Sequence, residues 1–116
     1  MRTTDDRDSA ERKIYNVSEI NRLSKMQLES AFHDVWIEGE ISNLKRPQSG
    51  HLYFSLKDSD AQIRAVMFRG SQRRLDFALK DGIKVHARGT ISIYTASGSY
   101  QIICSKLEEA GKGSLQ

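Results

Sequence analysis

Residues 50–70 read GHLYFSLKDSDAQIRAVMFRG, and their alternation decides the fold. In the first half Leu52, Phe54 and Leu56 share one face while His51, Tyr53, Ser55 and Lys57 share the other, the period of two expected of a half-buried strand. In the second half Ile63, Ala65 and Met67 take the inward parity, leaving Gln62, Arg64, Val66 and Phe68 to point away. The DSDA segment between them is turn chemistry, because Asp and Ser side chains hydrogen-bond the backbone just beyond them. The two runs therefore predict a hairpin, with Leu56 opposite Ile63, Phe54 opposite Ala65 and Leu52 opposite Met67 inside, and Ser55 opposite Arg64 and Tyr53 opposite Val66 outside. A one-residue slip would send Arg64 inward or Phe54 outward, so core patterning fixes what the outer face displays. That display is a tyrosine, a phenylalanine, a lysine and an arginine. Rings there stack on unpaired bases while cations meet phosphates, the combination of a single-stranded nucleic-acid platform.

The flanking chain supplies the rest of a small closed sheet. Ser18 offers an N-cap ahead of Glu19, and Ile20, Leu23, Leu28 and Phe32 give a loosely amphipathic helix from about Ser18 to Ala31. VWIEGEISNLK then alternates Val35, Ile37 and Ile41 against Trp36, Glu38, Glu40 and Ser42. Gly39 on the inward parity marks a bend or bulge that lets one long strand serve both halves of a barrel. KRPQSG is a loop, and RGSQRRLDFALKDG after the hairpin reads as a short helix or irregular connector. IKVHARGTISIYT returns to alternation with Gly89 mid-strand on the inward side, TASGS turns the chain, and SYQIICSKLEE makes a last strand. Five strands with a connector after the third predict an all-β five-stranded Greek-key barrel of the oligonucleotide-binding (OB) type, preceded by a helix, with ligand on strands 2 and 3 and loops 1-2 and 4-5. An SH3-like barrel is the main competitor.

With 116 residues, 38% hydrophobic and 28% charged, the chain is long enough for one domain with a core that needs no staples. We expect a mobile leader over residues 1–13, the barrel domain over 14–110 and a tail over 111–116. The start, MRTTDDRDSAERK, lacks the apolar centre of a secretory signal, no run approaches the roughly 18 apolar residues of a membrane span, and the expected location is the cytoplasm. A single cysteine, Cys104, forms no internal disulfide. The net charge is +3; the first 13 residues hold four basic and four acidic side chains, so the remainder carries the whole excess. Such a balance permits nucleic-acid binding, and it counts as support only where the cations cluster on one face.

VWIEGEISNLKRPQSGHLYFSLKDSDAQIRAVMFRG, followed by VHARGTISIY and GSYQI, closely resembles the N-terminal domain of the large subunit of bacterial exodeoxyribonuclease VII, from about Ile14 onward. The resemblance implies an OB fold that grips single-stranded DNA for a nuclease degrading it from either end to short oligonucleotides without a required divalent metal. It also implies a catalytic domain downstream and assembly with small subunits, both through segments beyond this domain. No position here matches a catalytic residue of the family, so the chain by itself is expected to be non-catalytic. Thr90 and the tip from Ala96 to Ser99 depart from the family pattern, where a basic residue is often found, and the first 13 residues match nothing in it.

The candidate binding residues are Tyr53 and Phe68 for stacking and Arg64 and Lys57 for phosphates, Arg64 being able to stack as well. His51 is a further ring, and Lys45 and Arg46 in the 1-2 loop and Arg88 on strand 4 are further cations. Against these stands a solvated face with Glu38 and Glu40 as ion-pair partners. Arg69, Arg73 and Arg74 lie on the connector, which is expected to cap the barrel away from the binding face. Glu38 and Glu40, at i, i+2, read as structural ion pairs, since no histidine or third carboxylate joins them at a catalytic spacing. His33, His51 and His86 show no metal-ligand spacing with each other or with Cys104, and neither metal nor cofactor is expected. Trp36 is expected to pack against the helix and Cys104 to fill the core. An RNA-binding module and a structural or protein-interaction domain are the alternative functions.

Overall fold

A computed structural model describes residues 11–111. The expected leader and tail fall almost wholly outside the described residues. Helix α1 spans Val17–Ala31. Strands β1 (Val35–Lys45), β2 (Leu52–Lys57), β3 (Gln62–Met67), β4 (Lys84–Tyr94) and β5 (Ser99–Glu109) follow, with a 3-10 helix over Arg69–Arg74 between β3 and β4. The strands close into a barrel in the order β1-β2-β3-β5-β4. All neighbours are antiparallel except β3 and β5, which pair in parallel over Arg64–Val66 and Gln101–Ile103.

The β2–β3 hairpin has the register its alternation predicts, including Tyr53 opposite Val66 and Ser55 opposite Arg64. Its turn is closed by Asp58, whose carboxylate accepts the Asp60 and Ala61 N–H groups at 2.8 and 2.9 Å. Those bonds hold the Asp58 carboxyl below the usual carboxylate range. Leu52, Phe54, Leu56, Ala65 and Met67 are buried in one cluster with Ile41, Val85, Ala87 and Ile102, so the inward parities of five strands fill the barrel. Cys104 joins that core, and burial pushes its thiol up to about 12.

β1 serves two neighbours, pairing with β4 through Val35–Glu40 and with β2 from Glu40 onward. Gly39 sits at the change of partner, where an added Cβ would lie 3.0 Å from that of Leu56. Gly89 is the tighter of the two. The β4–β5 register shifts between Arg88 and Gly89, and a Cβ on Gly89 would strike the Ile103 carbonyl oxygen, with the carbonyl carbon at 2.9 Å. Only a missing side chain lets the two backbones approach this closely.

Three placements differ from the sequence reading. The helix is capped by Asn16, not Ser18: Asn16 Oδ1 accepts the Glu19 N–H and Glu19 Oε1 accepts the Asn16 N–H, both at 2.8 Å, a capping box two residues earlier in the chain. Val66 is 3% exposed, so the outward parity of β3 is covered at that point. Trp36 stays half-exposed with the Arg88 guanidinium 5.9 Å above its ring, in place of the expected packing on α1. The helix lies instead on β4. Ser92, outward by parity, is fully buried and donates to Glu29 Oε2 at 2.6 Å. Asn21 Nδ2 donates to the Thr95 carbonyl at 3.0 Å, and the Ile91 N–H to the Phe32 carbonyl at 3.1 Å.

Gly89→Ala is expected to destabilise the chain by about 2 kcal/mol or more through overpacking, a fall in Tm of roughly 8–16 °C for a domain of this size. Gly39→Ala, facing a side chain that can yield, is expected to cost less; equal losses in thermal unfolding would contradict the close approach at Ile103. Bonds from Lys25 and then Ser92 hold the Glu29 carboxyl below its ordinary value, so its contribution is complete above the unfolded pKa of about 4.3 and disappears as pH falls through the lower folded value. Ser92→Ala should therefore cost about 1–2 kcal/mol at pH 7, and denaturant melts should show the gap closing below about pH 4. A gap independent of pH would mean that the hydroxyl acts by packing alone.

Candidate nucleic-acid interface

With α1 over β4, the outer face of β2 and that of β3 as far as Arg64 are left open to solvent, Val66 alone being covered. Tyr53 and Phe68 are 42% and 43% exposed there. His51 stands between them, edge-on to Phe68 at 5.2 Å and to Tyr53 at 6.5 Å between centroids, making a row of three rings. Its Nδ1 accepts the Arg69 N–H at 3.0 Å, which fixes the ring and leaves the remaining proton of the neutral form on Nε2. The row is thus tied to the first residue of the 3-10 helix. Lys57 shares the face of Tyr53 and Ser55 but lies four residues along the strand from Tyr53, about 13 Å away.

Beside Tyr53 runs an open groove of roughly 650 Å³. Arg64, Ser55 and Lys45 line it from the β1–β3 side, and Tyr94, Ser97, Ser99 and Gln101 from the β4–β5 hairpin. Lys45 reaches the groove because of a bulge: three steps on β1, from Ser42 to Lys45, match two on β2, from Ser55 to Tyr53. Asn43 takes up the extra residue with φ +54, a left-handed conformation that asparagine tolerates. The bulge puts Lys45 opposite Tyr53 while Leu44 packs against the core. Without it the parity of β1 would exchange the two.

Among the described residues, Lys45, Lys57 and Arg64 form no ion pair. Glu38, weighed as their partner, instead has His86 Nε2 at 3.0 Å. Two cations without ion-pair partners, Lys45 and Arg64, therefore line the groove, while Lys57 lies farther along the same face opposite Glu40, with no ion pair formed between them. Two other candidates lie elsewhere. Arg46 turns to the connector, where its Nη2 donates to the Leu79 carbonyl. Arg88 makes a fork-to-fork pair with Asp34, both contacts 2.7 Å, which holds the Asp34 carboxyl below its ordinary range and raises the guanidinium.

The groove wall from the β4–β5 hairpin was missed in the residue choice, although Tyr94 had the outward parity and the 4-5 loop is a ligand loop of such barrels. Gln101 carried no sequence signal, since only the parallel pairing of β3 with β5 sets it opposite Arg64. The bulge did carry one: Leu44 is apolar off the parity of β1, with an asparagine just before it. Among the described residues no three of His, Cys, Asp and Glu come together as a metal site, and no helix is long and apolar enough to cross a membrane. Cys104, buried and with its pKa raised, supplies no thiolate nucleophile near neutral pH.

Residues 15–108 match the family described as OB-fold nucleic acid binding domain. The chain belongs to that family. Two relatives of this OB-fold domain, both called exodeoxyribonuclease 7 large subunit, are 52% identical over 107 residues in Geotalea uraniireducens (strain Rf4) and 49% identical over 106 in Pseudomonas savastanoi pv. phaseolicola (strain 1448A / Race 6). These alignments cover 92% and 91% of this chain but 24% and 23% of the relatives, so the OB-fold domain spans about a quarter of their length. Among solved structures, a replication protein A heterotrimer bound to single-stranded DNA contains a similar fold, with TM-score 0.51 and 14% identity over 64% of this chain and 54% of that one.

Proposed function

We propose that this OB-fold domain binds single-stranded DNA on the β2–β3 face and presents it to the catalytic part of an exodeoxyribonuclease VII large subunit, a hydrolase acting in DNA catabolism. The observation that carries the reading is the groove beside Tyr53, lined by exposed rings and by Lys45 and Arg64, which have no ion-pair partners among the described residues. The half identity to large subunits of that name supports the choice of enzyme. In this reading Tyr53, His51 and Phe68 stack on bases and Lys45, Lys57 and Arg64 neutralise phosphates. Stacking accepts any base, and phosphate contacts carry no sequence information, so binding is largely independent of sequence. Bond cleavage and assembly with the small subunit belong to other segments of the large subunit, and the location is the cytoplasm.

The test is fluorescence anisotropy with labelled single-stranded DNA, duplex DNA and RNA at several salt concentrations. Three phosphate contacts give a slope of log K against log salt of about −2 for a single strand. Tyr53→Ala is expected to weaken single-strand binding roughly 5- to 100-fold, from the loss of about 1–3 kcal/mol of stacking, with the slope unchanged. Arg64→Ala should weaken it too and make the slope shallower by about 0.7. Wild-type affinity in both variants would place the site elsewhere. Equal silence toward all three ligands would make the barrel a scaffold, and preference for RNA would identify an RNA module.

A further inference from the structure

A second cavity, of about 320 Å³, opens where the 3-10 helix meets β5. Arg73 and Arg74 line it from the helix and Arg88 and Lys106 from β4 and β5, with no acidic side chain in the lining. Ser71 and Ser105 add hydroxyls, over an apolar floor that includes Met67 and Leu107. Two of the cations are committed, Arg88 to Asp34 at 2.7 Å and Lys106 to Glu108 at 3.3 Å. Arg73 and Arg74, both exposed, have no ion pair among the described residues. The cavity thus carries about two uncompensated positive charges and excludes no anion by repulsion.

Its position relative to the groove identifies the anion. β3 brings Arg64 to the groove and, three residues later, Met67 to the floor of the cavity. Phe68 then ends the ring row and opens the 3-10 helix that holds Arg69, Arg73 and Arg74. The other wall is shared as well, with Gln101 in the groove and Ser105, Lys106 and Leu107 in the cavity on the same strand, about 13–20 Å apart. Resting on the proposed function, we propose that this cavity is a second anchor for the same DNA strand. The strand leaves Tyr53 over His51 and Phe68 and sets a backbone phosphate between Arg73 and Arg74. The basic connector, which its place after strand 3 assigned to a cap, thereby extends the interface around the barrel. An acidic protein segment would satisfy the charge but not the continuity with the ring row.

The experiment compares the 116-residue chain with its Arg73→Gln/Arg74→Gln variant, titrated calorimetrically with oligothymidylates of about 4 and about 16 nucleotides, the limits of site size for one such barrel. Both side chains are exposed, so the variant should fold, as circular dichroism will show. The short oligonucleotide is expected to bind the two proteins equally. The long one should lose roughly 5- to 10-fold in affinity for the variant, and its salt slope should become shallower by about 1.4, the share of two phosphate contacts. Unchanged affinity and slope for the long oligonucleotide would overturn the second anchor and leave the groove reading standing, as would an equal loss at both lengths. No binding of either length by the unaltered chain would sink both. A polyglutamate peptide that bound the unaltered chain but not the variant, with DNA binding the same in each, would assign the cavity to an acidic protein segment instead.

Discussion

The strict alternation of β2 and β3 inside a closed barrel is the constraint on which the rest depends. Leu52, Phe54 and Leu56 meet Ala65 and Met67 in the core. Exposing the three β2 side chains together would cost on the order of 5–9 kcal/mol, comparable with the whole stability of a typical domain of about 5–15 kcal/mol. No slipped register competes at that cost. The outward set, with Tyr53, Ser55, Lys57 and Arg64, is therefore displayed as a consequence of what the core requires, and function is written on the positions that packing leaves over.

Closure alone would leave an outer face on every strand, and the other elements decide which one stays open. α1 docks on β4, burying Ser92 under Glu29. The 3-10 helix closes the barrel beyond β3, with Gln72 Nε2 donating to the carbonyls of Gly50 and Met67 at 2.8 and 3.0 Å. Arg88 and Glu38 are taken up by Asp34 and His86 on the β1–β4 side. What remains is a face where rings and unpaired cations coincide. The bulge at Asn43 adds Lys45 to it by shifting a single residue.

How much of this could be read from the sequence follows from the range of each interaction. Hairpin register, the double service of β1 at Gly39 and the requirement for Gly89 rest on alternation and backbone geometry, which short stretches display. Coverage is different. Val66 and Ser92 have outward parity yet are buried, and the cover of Ser92 comes from distant chain, a helix 63 residues earlier. The partner of Arg88 was hidden for the same reason, since Asp34 precedes it by 54 residues. Asn16 and Leu44 were legible and were misread, the first because Ser18 also fits an N-cap, the second because one off-parity leucine was not taken as a bulge.

An NMR titration of the 15N-labelled chain with an oligothymidylate of roughly 8 nucleotides, within the site size of one such barrel, tests the central claim most directly. The open-face account predicts that the amides of Tyr53, Ser55 and Arg64 and of the hairpin tip at Ser97 and Gly98 shift with added DNA, while those of α1 and of Trp36 and His86 on the β1–β4 side stay in place. Shifts confined to α1 or to the β1–β4 side, with β2 and β3 silent, would contradict it.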